Sequence, residues 1–418
     1  MDTTVPRGCI EGKINPPSSK SYAQRALACS LLAEGTSHLL NIELCSDALS
    51  AIECIKALGA KVEKDKENSL RIVGGLSPIS DTLYVGESGL SARLFTPIAS
   101  LWNAPITIQG EGTLRFRPMT MMIEPLRALG VELRDNGGLL PFTVRGPLGG
   151  GDITVDGSVS SQFITGLLLA LPLSKEDTTI HVNGAVSTPY IDMTIKMANS
   201  FGVRIERNGY EEFFVEGDQK YIATQVNLEG DWSAAATMLV AGAIAGSVKV
   251  ENISMLSSQA DVAICDALIR CGAELISEND SVTVSKKDLR PFEFDATNCP
   301  DLFPALVALA AAIQGESRIK GIGRLSHKES DRAEVLRTEY AKLGVRIELS
   351  EEEDTMSVWG CDEIEFAEVD SWHDHRIAMS LAVTALRSKN GLLIHDSECV
   401  SKSYPRFFED LASLRVDE

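Results

Sequence analysis

Eight basic residues, Lys20, Arg25, Arg93, Arg117, Lys328, Arg332, Arg376 and Lys402, stand in or beside places where the sequence predicts a helix to begin. Ser, Asp and Pro are expected there as caps and first-turn residues. Lys and Arg are not, because the positive end of the helix dipole disfavours them. One such cation is unremarkable, whereas a series implies a negative group in front of those helix ends. Free N–H groups at helix starts already bind phosphate and carboxylate. Guanidinium and ammonium groups added to them select a ligand with several negative charges. Each cation taken singly has a plainer reading, solvated or paired with a surface carboxylate. The shared position is what raises the group above that reading.

Other clusters divide in the same way. KESDR (328–332) also fits a capped helix start with internal charge pairs, and SSQ (160–162) also fits simple capping. In HDHR (373–376), His373 and His375 suggest a metal, but no further Cys or His lies near, and no metal site is expected. Gly149–Gly151 lacks the Lys-Ser/Thr of a phosphate-binding P-loop and the spacing of a dinucleotide site, and reads as a loop.

Six helices must position the cations, and an internal repeat supplies them. A helix-like stretch, a glycine and a strand-like run recur as IKALGAKV, LRALGVEL, MANSFGVRI, LIRCGAEL and AKLGVRIEL, with glycines at 59, 130, 202, 272 and 344. Each glycine falls where a helix end requires a left-handed residue. The spacings are 71, 72, 70 and 72 residues, and a further step reaches FFEDLASL near the end of the chain. A second series of helices begins near Ser21, Gly89, Ser161, Trp232, Leu302 and His375. These are rich in Ala and Leu on all sides and should be buried all round. Units of about 70 residues with two helices and several strands are α/β building blocks, longer than solenoid repeats. Six of them predict two domains of three. The sixth lacks a final strand, which Met1–Asn15 is expected to supply. The expected domains are therefore 1–18 plus 229–418, and 19–228.

Composition narrows the partners. The 418 residues are 44% hydrophobic and 23% charged, as in a globular chain, with a net charge of −20. That charge argues against nucleic acid or an anionic membrane as partner. No apolar run approaches the roughly 20 residues of a membrane span, and Met1–Gly12 shows neither a signal nor a transit pattern. The nine cysteines fall singly, without CxxC pairs, consistent with reduced thiols in a cytoplasm.

Ten segments together then carry a family resemblance: PPSSKSYAQRAL, GESGLSARL, LRFRPM, SVSSQFITGLLLALPL, STPYIDMTIKM, EGDWSAAATML, CPDLFPALVALAA, GIGRLSHKESDR, DHRIAMSLAV and SKSYPRFFEDL. In order and spacing, from about residue 13 onward, they resemble the 3-phosphoshikimate 1-carboxyvinyltransferases, enolpyruvyl transferases of the shikimate pathway. The resemblance implies a two-domain inside-out α/β barrel of six βαβαββ repeats, three per domain, with the active site in the cleft between domains that close on the substrates. It implies that Ser21, Arg25, Ser160, Ser161, Ser187, Tyr190 and Asp301 hold shikimate-3-phosphate, with Lys328 assisting. Gln162 would lie between the two substrates, and Lys20, Gly89, Arg117, Arg332, Arg376 and Lys402 would hold phosphoenolpyruvate. The reaction adds a hydroxyl to C2 of an enol phosphate, protonates C3, and then expels phosphate. Asp301 suits the base, and Glu329 with Lys20 suits the proton traffic at C3. No cofactor is required, and a monomer is implied.

Glu87 stands where the family usually has Asn, and Leu90 where it has Thr. Both lie beside the expected phosphoenolpyruvate site, where a carboxylate would either pair with Arg93 or repel the substrate. The sister family that uses UDP-N-acetylglucosamine carries a reactive Cys on its mobile loop and Lys-Asn in place of Lys20-Ser21. Here Gly86–Arg93 holds no cysteine. A binding protein without chemistry would gain nothing from Asp301 and Glu329, which oppose an anionic ligand.

Overall fold

The computed structural model describes residues 1–326, 328–361 and 363–416. His327, inside one of the segments quoted above, lies outside them. The chain forms two compact units, Met1–Pro17 with Glu229–Glu418, and Ser18–Leu228. Each has its own apolar core. No helix of the described residues is long and apolar enough to cross a membrane.

The repeat is visible in backbone conformation. Gly59, Gly130, Gly202, Gly272 and Gly344 all have positive φ, between +81° and +111°. The neighbouring backbone N–H groups turn back onto the preceding helix there, as when Ala60 N donates to Ile55 O and Val131 N to Leu126 O. The second helix series occupies Lys20–Leu32, Gly89–Ala99, Gln162–Ala170, Trp232–Ala245, Phe303–Ala311 and His375–Ala385. Every residue of Phe303–Ala311 is buried, and every residue of Trp232–Ala245 except Ser233. Their all-round apolarity therefore reflects enclosure by sheets and neighbouring helices.

Around these helices the described residues form five four-stranded sheets and one three-stranded sheet. Each four-stranded sheet pairs two strands in parallel and continues as an antiparallel hairpin. Thr82–Tyr84 runs parallel to Ile106–Gln109, which pairs antiparallel with Leu139–Arg145 and so reaches Glu132–Asn136. A parallel pair needs a crossover, and the helix Gly89–Ala99 supplies it. Each such helix therefore starts just beyond the end of a short strand.

The N-terminal segment departs from the sequence expectation, for it serves two sheets instead of one. Thr3–Val5 pairs antiparallel with Leu392–His395 and completes the three-stranded sheet of the sixth repeat. Ile10–Ile14 instead runs parallel to Gly246–Glu251, the sheet of the fourth repeat. Correspondingly, Gln225–Asn227, the strand before the Trp232 helix, pairs with Thr36–Leu40 of the first repeat. The two repeats have exchanged their leading strands. The chain can pass between units at Pro17 and Leu228 because each sheet receives an equivalent strand in parallel register.

Candidate active site

In Ser18–Leu228 the predicted residues gather around the starts of four helices, except that Arg117 follows the end of the short turn Gly112–Phe116 and not the start of a helix. Ser19 caps Lys20–Leu32, and Lys20 Nζ lies 3.0 Å from Asp47 Oδ2. Arg25, one turn on, is 1% exposed. Its guanidinium donates to Thr194 Oγ1 at 2.8 Å, Ser21 O at 2.9 Å, Thr165 Oγ1 at 3.1 Å and Tyr190 O at 3.2 Å. Those partners come from Gln162–Ala170 and Thr188–Ser200 as well as its own helix. All are neutral, and no carboxylate of the described residues bridges Arg25. Burial pulls its pKa down to about 10, still well above neutrality. A buried guanidinium held only by hydroxyls and carbonyls is a charge awaiting an anion. Ser187 and Tyr190 frame the same place. Ser187 has φ +54° at the start of its helix, and its carbonyl accepts from Tyr190 N.

A second convergence surrounds Gly89. A Cβ there would come within 3.0 Å of Arg117 Nη1, 3.2 Å of Arg93 Nη1 and 3.6 Å of Gln162 Oε1. Gly89 thus gives its place in the first turn to two guanidinium groups. Arg93 Nη1 donates to Gln162 Oε1 at 2.7 Å. Ser160 Oγ accepts from Gln162 N, and Ser161, 3% exposed, precedes that helix. The two helices approach closely because residue 166 is glycine: a Cβ there would meet the Arg93 carbonyl at 2.5 Å. Glu87 lies over Gly112, whose φ is +54° and whose missing Cβ leaves room for the carboxylate. Leu90 packs into the core of its unit.

In the other unit the cations already have anionic partners. Asp301, in a single turn leading into Phe303–Ala311, accepts from Arg332 Nη1 at 2.7 Å, Arg376 Nη2 at 3.1 Å and Lys328 Nζ at 3.3 Å. Arg332, 1% exposed, also donates to Glu329 Oε2 at 2.7 Å and Asp374 Oδ2 at 2.8 Å. Asp374, completely buried, caps His375–Ala385 by accepting from Arg376 N at 3.0 Å. Lys402 Nζ donates to the His373 carbonyl at 3.4 Å. Burial alone would raise the Asp301 pKa, but Arg376, Lys328 and Arg332 hold it well below the ordinary carboxylate range. Burial lowers Lys328, with Asp301 opposing. A negative group before these helix ends is the protein's own Asp301.

The chain belongs to the EPSP synthase family. The family model, described as EPSP synthase (3-phosphoshikimate 1-carboxyvinyltransferase), matches residues 5–411. A 3-phosphoshikimate 1-carboxyvinyltransferase of Clostridium kluyveri is 37% identical over 414 residues, covering 98% of this chain and 96% of the relative. That of Erwinia tasmaniensis is 36% identical over 422 residues, covering 99% and 98%. Among solved structures, EPSP synthase from Acinetobacter baumannii superposes with a TM-score of 0.85 at 27% identity, covering 99% of this chain and 98% of that one. The enolpyruvyl transferase NikO from Streptomyces tendae shares the fold, with a TM-score of 0.78 at 18% identity, covering 100% and 97%. The α/β fold of six βαβαββ repeats is therefore that of the family.

Three carboxylates escaped the sequence reading. Asp374 sits inside the quoted DHR, and its cap position before an Ala-rich helix was a usable signal. Asp47, the partner of Lys20, lay in a helix with no cation pattern. Asp261 had none at all. It is 2% exposed, accepts from Ser233 Oγ, and leaves Oδ1 without a hydrogen-bond partner. Burial, with Asp301 adding and Arg376 opposing, pushes its pKa up to about 7. His373 and His375 form no metal cluster: the His373 ring pairs with Asp396 at 2.9 Å, and no group of three or more metal-ligating side chains occurs among the described residues.

Proposed function

We propose that this chain catalyses the reaction of its family, transfer of the enolpyruvyl group of phosphoenolpyruvate to the 5-hydroxyl of shikimate-3-phosphate with release of phosphate. The observation that carries the reading is the cluster around Asp301. Three cations from two separate sequence motifs, KESDR and DHR, converge on one carboxylate at a helix start, inside a chain that matches the family over nearly its whole length.

Shikimate-3-phosphate is held by Ser21, Arg25, Ser160, Ser161, Gln162, Ser187, Tyr190, Asp301 and Lys328. Phosphoenolpyruvate is held by Lys20, Gly89, Arg117, Gln162, Arg332, Arg376 and Lys402, so residues of both units take part. Asp301 removes the proton of the 5-hydroxyl as its oxygen attacks C2, and Glu329 with Lys20 delivers a proton to C3. The tetrahedral ketal then loses phosphate while C3 returns a proton, which restores the enol ether. Cations on the phosphate and carboxylate orient the reactants and offset charge developing on them. Asp301 is a poor base while three cations hold its charge. An incoming carboxylate that takes over Arg332 and Arg376 raises its basicity when the hydroxyl is present. The enzyme acts as a monomer in a cytoplasm that keeps its cysteines reduced.

Phosphate release from phosphoenolpyruvate, with shikimate-3-phosphate or UDP-N-acetylglucosamine as acceptor, tests the reading. Release with shikimate-3-phosphate alone, abolished by Lys20→Met, is expected. No release with either acceptor, from a protein that still binds both ligands by calorimetry, would overturn it.

A further inference from the structure

The turn between the strand Glu368–Asp370 and the helix His375–Ala385 is strained. Trp372 and His373 both have positive φ, +52° and +57°, a conformation that bulky side chains seldom adopt and that the surroundings must impose. The turn matters because three parts of the anion site depend on its path. The His373 carbonyl receives Lys402 Nζ, Asp374 binds Arg332 and caps the helix, and Arg376 follows in the first turn. Local bonds account for part of the shape: Asp370 Oδ1 accepts from Trp372 N, and Ser371 Oγ accepts from His373 N.

Asp396 holds the turn from one side, through the His373 ring at 2.9 Å and by accepting from Ser371 Oγ at 2.9 Å, and a further hold comes from Glu339, a residue with no place in the chemistry above. It lies on Arg332–Lys342, the helix that starts with Arg332, and is 0% exposed. Glu339 Oε1 accepts from the Trp372 indole Nε1 at 2.8 Å, and Oε2 accepts from Asp370 N at 3.0 Å and Lys342 Nζ at 2.6 Å. Residues seven apart lie on one helix face, two turns from each other. One helix therefore grips the turn twice, by Arg332 on Asp374 and by Glu339 on Trp372 and Asp370. Trp372 is 52% exposed, so apolar burial contributes little to its unusual backbone, and the indole bond is its anchor.

We propose that Glu339 is a positioning residue of the phosphoenolpyruvate site, acting through Trp372. It holds the strained turn so that the His373 carbonyl faces Lys402 and Asp374 faces Arg332. Without it the turn relaxes toward negative φ, the His373 carbonyl rotates away, and Lys402 and Arg376 lose their relative placement. The proposal rests on the family reading for the identity of the ligand.

The test compares Glu339→Gln, Glu339→Ala and Trp372→Phe in the full chain, each checked by thermal unfolding. Trp372→Phe changes a half-exposed side chain and keeps the test open should Glu339→Ala fail to fold. Glu339→Ala and Trp372→Phe are each expected to raise KM for phosphoenolpyruvate about tenfold, and KM for shikimate-3-phosphate less than about twofold. Glu339→Gln keeps one acceptor oxygen where Glu339 uses two, and should lose less than Glu339→Ala. In the double variant Glu339→Ala/Trp372→Phe the loss should not exceed that of Glu339→Ala alone, because that substitution already removes the indole bond together with the bond to Asp370 N. Indole emission that Trp372→Phe removes should shift in Glu339→Ala. Calorimetric titration with phosphoenolpyruvate alone, and with shikimate-3-phosphate alone, reads the same split without turnover. A wild-type chain without activity would thus indict the family reading, not Glu339. Equal loss of kcat with both KM values unchanged, or additive effects in the double variant, would overturn the positioning role.

Discussion

Replacing Asp301 with Asn should tighten phosphoenolpyruvate binding while it destroys turnover. Asp301 pairs with Arg332 at 2.7 Å and Arg376 at 3.1 Å, the two guanidinium groups proposed to hold the substrate. A hydrogen bond to a charged group contributes about 1.5–3 kcal/mol net, and the substrate must displace at least one of these to bind. Asn has the same shape but no charge, so its competition is weak. Its removal as a competitor predicts a gain of about 1.5–3 kcal/mol, roughly 10- to 100-fold in Kd. Loss of the base should cost about 10²–10⁴ in kcat. The free protein should also lose stability, because Lys328 and Arg376 are left without their nearest anion, and added phosphate should restore part of it. The assay is calorimetric titration of both proteins with phosphoenolpyruvate alone, where no turnover occurs, beside melting curves with and without phosphate. An Asp301→Asn protein that folds normally but binds phosphoenolpyruvate no more tightly than the wild type would refute the competition.

Two further expectations concern groups away from that contest. Arg25→Lys keeps the charge but not the planar fork that spans Thr165, Thr194 and Tyr190. It should weaken shikimate-3-phosphate about 10- to 100-fold in a binding titration and leave the Kd for phosphoenolpyruvate within about threefold. Asp261 bears on stability: with a folded pKa of about 7 against 3.8, its neutral form is the one the fold favours. Its contribution is complete below about pH 4 and is lost as pH rises toward 7. Asp261→Asn should therefore stabilise the chain more at pH 8 than at pH 5, by about 2–3 kcal/mol in urea unfolding. Parallel pH profiles for the two proteins would contradict the assignment.

The repeat was legible because its signals are local. A glycine that ends a helix must reach positive φ, and a helix buried on all sides must be apolar on all sides. Both requirements act within a few residues, so Gly130 or Phe303–Ala311 declares its role without any knowledge of neighbours. The misplaced cations were legible for a similar reason, since Lys20, Arg332 and Arg376 each contradict the helix dipole within their own first turn. What those cations meet was not legible. Asp301 lies 31 residues from Arg332 and 75 from Arg376, and no local rule pairs them.

Ion pairing depends on which helix starts the folded unit brings together, and burial then decides which charges survive. The same limit hid the strand exchange. Ile10–Ile14 and Gln225–Asn227 are short strands whose sequences do not name their partners, and only tertiary packing assigns them. It also hid Glu339, whose sequence context is an ordinary charged helix. The sequence alone determined the units, their helix starts and the residues that demand an anion. The tertiary structure decided that Asp301 stands in for that anion in unit Met1–Pro17 with Glu229–Glu418, while Arg25 keeps only neutral partners in the other. The physical reason is range: capping and periodicity act within a helical turn, whereas the balance of buried charge is settled between segments far apart in the chain.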